Sequence, residues 1–400
     1  MNSDKTQLLL LGVTSFLLQI CFAMINLALV FYLRETYSLS AATIGLALSY
    51  NQISYCFFAI VLSNWITAFK PRYVIMIGLS GITLCILSII LIHSYIAVLV
   101  TIVFYGGFLS LVWPSIESWL ARGKEEAFLN KSMGIFNFSW SSGAAISTYI
   151  GGLLIEINLR LPFYLSVIIL FFIILSLYIV TSLVPSLRSS EAENDYIKNN
   201  KLKDNSTFLR YYSWAGIFVG YIVIGAINNI FPIYAKEVLN FSESTVGGLL
   251  SIRGIVTCFM FYLLTKTSFW HFKRYIIIGV QILIALIVLA SRSFTSVFSL
   301  SIFFFSFGLL FPFVYVMSIF HGASGAINKT KRMIIHEVLI SLGVVVGSVA
   351  GGILYDHFSY SQMMLIFFFV ISIAIVLEIT IYLIRMNNLN KIKNPNYTQS

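Results

Sequence analysis

One arginine stands out because it lies in the middle of an apolar stretch. Arg253 is found in the segment SIRGIVTCF, which holds no other charged residue. An arginine at the centre of a membrane span costs about 2.5–3.5 kcal/mol on insertion scales, so it is expected to face a cavity and to have a partner. Its guanidinium keeps its proton at any accessible pH. We therefore expect a fixed positive charge that either binds an anionic substrate or forms a permanent ion pair between helices.

Three titratable residues in apolar segments are candidates for proton coupling. Glu117 lies in WPSIESW, one turn after Pro114, and His336 and Glu337 lie together near the start of another apolar run. Histidine titrates near neutrality, and a carboxyl group in apolar surroundings can exchange a proton during transport. Structural alternatives remain open for both acids. Glu117 can pair with Arg122 at a helix end, and Glu337 can stabilise a helix N-terminus.

Amide side chains within apolar runs are the third kind of candidate, because they must find hydrogen-bond partners there. They are predicted to line a polar cavity, although hydrogen bonds between helices are the alternative. Trp113 joins them as an aromatic wall residue. The predicted substrate-binding set is Arg253, Asn26, Asn228, Asn229, Asn51, Gln52 and Trp113.

These residues belong to a chain that is almost entirely membrane-spanning. Hydrophobic residues make up 59% of it and charged residues 10%, which is too little polar surface for a soluble protein of this length. Twelve apolar runs reach the roughly 20 residues that a helix needs to cross a bilayer. Their limits are 8–33, 42–64, 73–92, 95–119, 132–155, 162–184, 212–235, 245–266, 274–291, 297–320, 333–355 and 362–384. The fold is therefore predicted to be an all-α membrane protein.

The second half of the chain repeats the first. Residues 130–156 match residues 330–356 at 8 of 27 positions, and residues 23–45 match residues 225–247 at 7 of 23 positions. Two similar bundles that rock about a central site are common in transporters. The repeat predicts two pseudo-symmetric six-helix bundles, 1–184 and 212–384, with a polar linker at 185–211 and a polar tail at 385–400.

The net charge of +10 is explained by membrane topology and does not indicate nucleic-acid binding. With the N-terminus placed in the cytoplasm, 20 of the 25 Lys and Arg residues fall on the cytoplasmic side, as the positive-inside rule requires. Both termini are then cytoplasmic, and the protein is expected to be a multi-pass protein of the plasma (inner) membrane.

Twelve helices arranged as six plus six, with repeated halves and a cytoplasmic linker, resemble the major facilitator superfamily (MFS) over the whole chain. The resemblance implies alternating access, and it implies that the fourth span lines the cavity and approaches the eighth, so that Glu117 can pair with Arg253. In that family the loop after the second span carries an acid and bases that latch the halves together. Here Asn64 replaces the acid, whereas Arg72 remains as a base.

Exporters of this family often carry a stripe of small residues in the fifth span, and this chain has one with Thr148 in place of the usual proline. Small residues four apart allow close helix contact, so we expect the stripes of the fifth and eleventh spans to be surfaces on which the halves slide. Ordinary helix packing is the alternative. Pro232 is predicted to kink the seventh span. The predicted gating and interface set is Gly143, Thr148, Gly151, Gly152, Pro232, Gly343, Gly347, Gly351, Gly352, Asn64 and Arg72.

The sequence contains no phosphate-binding loop, no zinc-protease motif, no nucleophile-elbow motif and no cysteine cluster, which argues against an ATP-driven pump and against an enzyme. No cofactor or metal is expected. The predicted function is secondary active transport of a small polar, anionic organic solute, coupled to protons and carried out by a monomer in the bilayer. One alternative is a proton-coupled exporter of amphipathic, drug-like or lipid-like compounds. A second is a non-transporting receptor or scaffold.

Overall fold

The computed structural model describes residues 3–62, 66, 69–92, 94–121, 126–183, 206–326 and 329–393, with side chains left undescribed at 3–5, 118, 121, 126–133, 329–331, 333–334 and 386–393. Within these ranges the chain forms twelve helices and no strand. They are α1 (Ser3–Tyr37), α2 (Ala41–Val61), α3 (Pro71–Leu91), α4 (Tyr95–Ala121), α5 (Glu126–Ile157), α6 (Leu161–Leu183), α7 in two segments, α7a (Leu209–Asn229) and α7b (Phe231–Glu237), α8 (Glu243–Lys266), α9 (Arg274–Ser291), α10 (Val297–Ala323), α11 (Lys329–His357) and α12 (Tyr360–Lys393).

Eleven helices in the described part are long and apolar enough to cross a membrane. The other, α5, is 32 residues long and packs against α1 and α8. The all-helical membrane fold predicted from the apolar runs is thus confirmed. We refer to α1–α6 as the first half and to α7–α12 as the second half.

The helix termini follow local sequence signals that recur in the two halves. Ser40 caps α2 by accepting a hydrogen bond from the Thr43 N–H at 3.2 Å, and its repeat counterpart Ser242 caps α8 through the Thr245 N–H at 3.3 Å. A serine at this position satisfies a backbone donor that the first turn leaves free. The same cap at equivalent positions gives α2 and α8 equivalent starting points.

Two boundaries differ from those expected. Residues 209–211, assigned to the linker, already belong to α7a, and α12 continues through Lys393 although 385–400 was expected to be a tail. No glycine or proline interrupts α12 before Pro395. The chain is described as helical through Lys393, the last described residue.

The seventh span is interrupted at Ile230, where α7a ends and α7b begins. Pro232 lies in the first turn of α7b. Its missing N–H is not needed there, because the N–H groups of a first helical turn have no partner within the helix. Proline cannot donate the hydrogen bond that would continue α7a, so the helix is interrupted. The interruption places Asn228 and Asn229 at the end of α7a.

The most extensive contacts between the halves are made by two helix pairs. Helix α5 packs against α8, and α11 packs against α2. Each of α5 and α11 also packs against the first helix of its own half, α1 and α7a. These two helices therefore connect the interior of each bundle to the opposite half.

Candidate functional site

A cavity of about 260 Å³ lies between the halves. Its polar lining comes from both: α1, α2 and α4 supply Gln19, Asn51, Gln52 and Glu117, whereas α11 supplies Glu337 and Ser341. The aromatic lining residues are Tyr55, Trp113, Phe136, Trp140, Tyr221 and Tyr315. Apolar walls with a few polar groups are typical of small-molecule sites.

Two carboxyl groups face this cavity, one from each half. Glu117 extends from α4, which contains Pro114 in its interior, and Glu337 extends from α11. Neither acid forms an ion pair with any residue whose side chain is described. The lining residues include no Lys, Arg or His. The cavity thus holds two acidic groups without a basic partner from its own walls.

The aromatic lining residues form two groups of ring contacts. Trp113 lies 6.0 Å from Phe136 between ring centroids, and Trp140 lies 6.2 Å from Tyr315. Tyr315 lines the same cavity as both acids. It follows Pro312 in α10 as Glu117 follows Pro114 in α4, so the two residues are equivalent in the two halves.

Asn51 lines the cavity, but its Oδ1 atom is not accessible from it. This atom is buried without a hydrogen-bond partner among the described residues, and it lies against Gly106 of α4, where an added Cβ would be 2.8 Å away. Asn51, Gln52 and Trp113 are the members of the predicted binding set that line the cavity.

Arg253 is placed differently from the expectation. It is absent from the cavity lining, and its Nη2 donates a hydrogen bond to Asn228 Oδ1 at 3.0 Å. No ion pair joins it to Glu117, and its Nη1 atom is buried without a hydrogen-bond partner in the described part of the chain. The expected pairing of Glu117 with Arg253 is therefore not present in this state. Arg122, the other expected partner, lies outside the described residues.

The three remaining asparagines form bonds between helices instead of facing the cavity. Asn26 Nδ2 donates to Asn229 Oδ1 at 3.3 Å, and Asn229 Nδ2 donates to Ser348 Oγ at 2.6 Å. This chain links α1 of the first half to α7a and α11 of the second. Asn228 holds Arg253, as described above. The amides thus take the interhelical role that was the alternative to cavity lining.

His336 does not line the cavity either. It is 1% exposed, and its Nδ1 shares a hydrogen bond with Ser318 Oγ at 2.8 Å. Its ring contacts Tyr315, with centroids 5.1 Å apart. His336 therefore packs against Tyr315, a residue of the cavity wall, while its neighbour in sequence, Glu337, lines the cavity itself.

The small-residue stripes divide into two faces. A Cβ atom on Gly143 or Gly151 would meet α1 of the same half, and one on Gly343, Gly347 or Gly351 would meet α7a of the same half. These five glycines therefore serve packing within a half, contrary to the expectation that the whole stripe lies between halves. The reason is that α5 and α11 each contact helices on two sides.

The other stripe residues lie at the contact between halves. A Cβ atom on Gly152 would overlap with the Glu243 carbonyl oxygen of α8, and one on Gly352 would lie 2.5 Å from the Ala41 carbonyl oxygen of α2. Thr148 shares a hydrogen bond with Ser251 of α8 at 2.8 Å. On the facing helices, a Cβ atom on Gly45 would overlap with the Ser348 carbonyl oxygen, and one on its counterpart Gly247 would overlap with the Thr148 carbonyl oxygen.

Ion pairs join the halves at the end of the bundle where α1 and α7b finish, which we call the 34–41 end. Arg34 pairs with Glu237, with Nη2 and Oε2 2.7 Å apart, and Lys236 pairs with both Glu35 and Glu243. Asp356 of α11 accepts hydrogen bonds from the Ala41 and Ala42 N–H groups at 3.1 and 2.7 Å. These contacts hold the two halves together at this end.

Sequence reasoning missed these ion pairs, although the repeat alignment contained a signal. Glu35 aligns with Glu237, and a basic residue precedes each. At the opposite end, Arg72 donates to the Thr181 carbonyl at 3.4 Å within its own half, whereas Asn64 lies outside the described residues. Gln19 and Ser341 were missed as cavity residues because single polar residues in apolar helices carry no spacing pattern.

Comparison with known proteins agrees with this architecture. The model of the Major Facilitator Superfamily matches residues 11–326. Multidrug resistance protein 2 of Bacillus subtilis (strain 168) is 22% identical over 331 residues, which cover 80% of this chain and 81% of that protein.

Solved structures show the same fold. The nucleoside transporter NupG superposes with a TM-score of 0.72 at 15% identity, covering 96% of this chain and 99% of its own. A bacterial homolog to the human lysosomal transporter Spinster, inward-facing and unoccupied, superposes with a TM-score of 0.67 at 16% identity, covering 88% and 81%. The chain belongs to the Major Facilitator Superfamily of membrane transporters.

Proposed function

We propose that the protein is a proton-coupled secondary transporter of cationic or uncharged amphipathic compounds with aromatic character, bound in the cavity between the halves. The observation that carries this proposal is the pair of acids, Glu117 and Glu337, which face one cavity from opposite halves and find no basic residue among its lining. This is the alternative, exporter-type function and not the anionic solute predicted first.

The pair of acids supplies a mechanism for coupling. A charged carboxyl group away from bulk water needs a counter-charge, so each acid must hold either a proton or a positively charged ligand. Protons and a cationic substrate then compete for the same groups. By linkage, proton binding lowers substrate affinity to the same extent that substrate binding lowers proton affinity. That competition is what proton-for-substrate exchange requires.

The walls support an aromatic, amphipathic substrate. Rings attract cations and stack with aromatic ligands, and Trp113, Trp140 and Tyr221 all line the cavity. Its volume of about 260 Å³ is near the lower end of the range for drug-sized ligands. The name of the Bacillus subtilis relative, a multidrug resistance protein, points in the same direction.

The proposal includes a location and an orientation. The excess of basic residues on one side supports cytoplasmic termini in the plasma membrane, which makes the 34–41 end external and the described state closed to the outside. We further propose that residues 1–184 and 212–384 move as two bodies, joined by 185–211, within a monomer. Alternating access then requires the ion pairs at the 34–41 end to open.

The test uses purified protein in liposomes with a pH gradient and ethidium, an aromatic cation, as substrate. Wild type is expected to move ethidium only while the gradient lasts. Glu117→Gln and Glu337→Gln are each expected to lower ethidium affinity at least about tenfold and to abolish gradient-driven movement, because a neutral amide cannot exchange charge. Glu156→Gln changes an exposed acid of α5 and is the matched control.

The outcomes separate the candidates. Transport of ethidium that is insensitive to both cavity substitutions would overturn the proposal. Transport of the anion carboxyfluorescein in place of ethidium would favour the anionic-solute function, for which the unpartnered Nη1 of Arg253 is the supporting observation. In that case Arg253→Gln, and not Glu117→Gln, would abolish binding.

A further inference from the structure

Two arginines come together at the end of the second half opposite to the 34–41 end. Arg274 is the first residue of α9, and its guanidinium stacks on Tyr382 of α12, one turn before Arg385. Neither arginine forms an ion pair with a residue whose side chain is described. Like charges repel one another, so a cluster of Arg274 and Arg385 without an acidic partner among the described residues favours the binding of an anion.

Aromatic rings hold these guanidinium groups in position. Arg274 lies 3.3 Å from the ring centroid of Tyr382, and Arg385 lies 3.9 Å from that of Phe208. Arg210 lies over Tyr211 at 4.6 Å. Stacking uses the face of a guanidinium and leaves the N–H groups on its edge free to donate, which is the geometry in which arginine binds phosphate. Arg274 and Arg385 make no hydrogen bond with the described residues, so their donors are available.

Two further groups point to an anion at this place. The Tyr212 hydroxyl is buried, lacks a hydrogen-bond partner in the described part of the chain, and lies within electrostatic range of Arg274, Arg385 and the acid Glu378. Helix α9 begins beside them with no side-chain cap at Lys273. Its first N–H groups and the positive end of its dipole therefore remain available to a negative group.

The nearest acid does not neutralise the cluster. Glu378 lies two turns before Arg385 on α12 and is 5% exposed. One of its oxygens accepts a hydrogen bond from Gln281 Nε2 at 3.2 Å, and the other has no partner among the described residues. It thus faces the interior of the second half instead of pairing with the arginines.

We propose that this cluster binds the phosphate of an anionic phospholipid, with Arg274 and Arg385 as the principal ligands and Tyr212 as a supporting donor, whereas Arg210 uses its Nη1 and Nη2 donors on Ser206, Thr207 and Tyr211. Its position favours a lipid over a soluble phosphate, because the cluster lies at one end of helices that are long and apolar enough to cross a membrane, with α7a beginning at Leu209 and α9 at Arg274. Exposed apolar side chains next to it, among them Tyr275, Leu383 and Ile384, offer a surface for acyl chains. Basic pockets between helices at this depth are suited to lipid head groups.

This site is separate from the transport cavity, so its test is independent of the proposed function. Purified full-length protein is titrated with phosphatidylglycerol, phosphatidylcholine or inorganic phosphate, and bound lipid is counted by native mass spectrometry. Wild type is expected to retain phosphatidylglycerol with at least about tenfold preference over phosphatidylcholine. The double variant Arg274→Gln with Arg385→Gln should lose affinity for phosphatidylglycerol by about 30-fold, since each basic residue at a membrane surface contributes a few-fold.

Arg72→Gln is the matched control, because Arg72 is the repeat counterpart of Arg274 but uses its donors on Thr181 and Tyr73. It should leave phosphatidylglycerol binding unchanged. Arg385→Lys should retain most of the binding, and Tyr212→Phe should weaken it about threefold. If the double variant does not fold, the single exposed substitution Arg385→Gln decides the question.

Three results would overturn the proposal. One is equal binding of phosphatidylcholine and phosphatidylglycerol, and another is an unchanged affinity in Arg385→Gln. The third is saturation by inorganic phosphate with no retention of lipid, which would make this a site for a soluble anion.

Discussion

At the scale of single residues, the cavity combines carboxyl groups with aromatic rings, and no base is among the described residues that line it. Glu117 and Glu337 both offer oxygens to a bound molecule. A ligand that brings N–H donors or a positive charge matches this pair, because each unpaired acceptor in a low-dielectric site is costly. Under the proposed function, the lining is therefore expected to select against anions.

Arg253 provides a test of that selectivity. It interacts electrostatically with Tyr221 of the cavity wall, so it adds positive potential behind the site. Arg253→Gln is therefore expected to raise affinity for ethidium roughly two- to tenfold, since it removes a repulsive charge of the order of one kcal/mol at an effective dielectric near 20. Fluorescence titration of the purified variant measures this change.

Arg253→Lys, which keeps the charge, is the control for that measurement and should leave ethidium affinity close to that of wild type. A fall in ethidium affinity in Arg253→Gln would contradict the electrostatic account. It would instead indicate that the bond between Arg253 and Asn228, 3.0 Å long, is needed to shape the cavity.

The sequence predicted the two acids of the cavity but not the position of Arg253. Glu117 and Glu337 could be identified as candidates from the sequence, because few structural reasons explain a carboxyl group within an apolar run. Whether an arginine faces the cavity depends on a rotation of α8 by a fraction of a turn, and packing against α5 and α10 decides it. No pattern within a single helix contains that information.

At the scale of helices, four glycines set how closely the halves approach. Gly45 and Gly247 come from α2 and α8, and Gly152 and Gly352 come from α5 and α11. The small-residue stripe in the sequence indicated that α5 and α11 make close helix contacts. The single glycines of α2 and α8 form no such stripe, so only the equivalence of Gly45 and Gly247 in the repeat pointed to a close contact there.

Gly45→Ala is expected to open the 34–41 end. Its new Cβ would overlap with the Ser348 carbonyl oxygen, and overpacking of this kind typically costs about 1–3 kcal/mol. Only the state closed at this end bears that cost, so the population shifts to the open state. In an Ala41→Cys background, where residue 41 is fully buried, maleimide labelling should become at least about fivefold faster.

Gly279→Ala is the matched control, because a Cβ there meets no atom within 4 Å. Labelling of Ala41→Cys should be unchanged by it. Equal labelling of Ala41→Cys with and without Gly45→Ala would show that close approach of α2 and α11 does not limit opening.

The ion pairs at the 34–41 end act on the same equilibrium. Arg34→Glu sets two acids against each other at Glu237 and is expected to accelerate labelling of Ala41→Cys about three- to tenfold, since partly exposed pairs contribute up to about 1 kcal/mol each and repulsion adds to the loss. The exchanged variant, Arg34→Glu with Glu237→Arg, restores opposite charges and should return labelling to near the wild-type rate. Failure of the exchange to restore it would assign the effect to Arg34 alone.

At the scale of the whole molecule, the sequence was sufficient for the architecture. Apolar runs define the helices, and the repeat divides them into two sets of six. The end of α12 was misplaced because a helix that leaves the membrane loses its apolar signal but keeps its backbone hydrogen bonds.

The proposed orientation predicts where fused reporters are active. Alkaline phosphatase fused after Arg292, which follows α9, should be active because that loop is expected to be external. The same enzyme fused after Ser400 should be inactive, whereas green fluorescent protein fused there should fluoresce. The reverse pattern would place the 34–41 end in the cytoplasm and make the described state closed to the inside.

The crossed ion pairs between Arg34, Glu35, Lys236 and Glu237 have a consequence for the origin of the chain. Each half contributes one basic residue followed by one acid, and each base binds the acid of the other half. Such a contact is isologous, as in a two-fold symmetric homodimer, where one surface is complementary to itself. Two separate copies of an ancestral six-helix unit would form both ion pairs if each copy carried one basic residue followed by one acid at this position. Fusion of those copies after gene duplication would then have preserved the contact, since Arg34 and Lys236 keep the same charge.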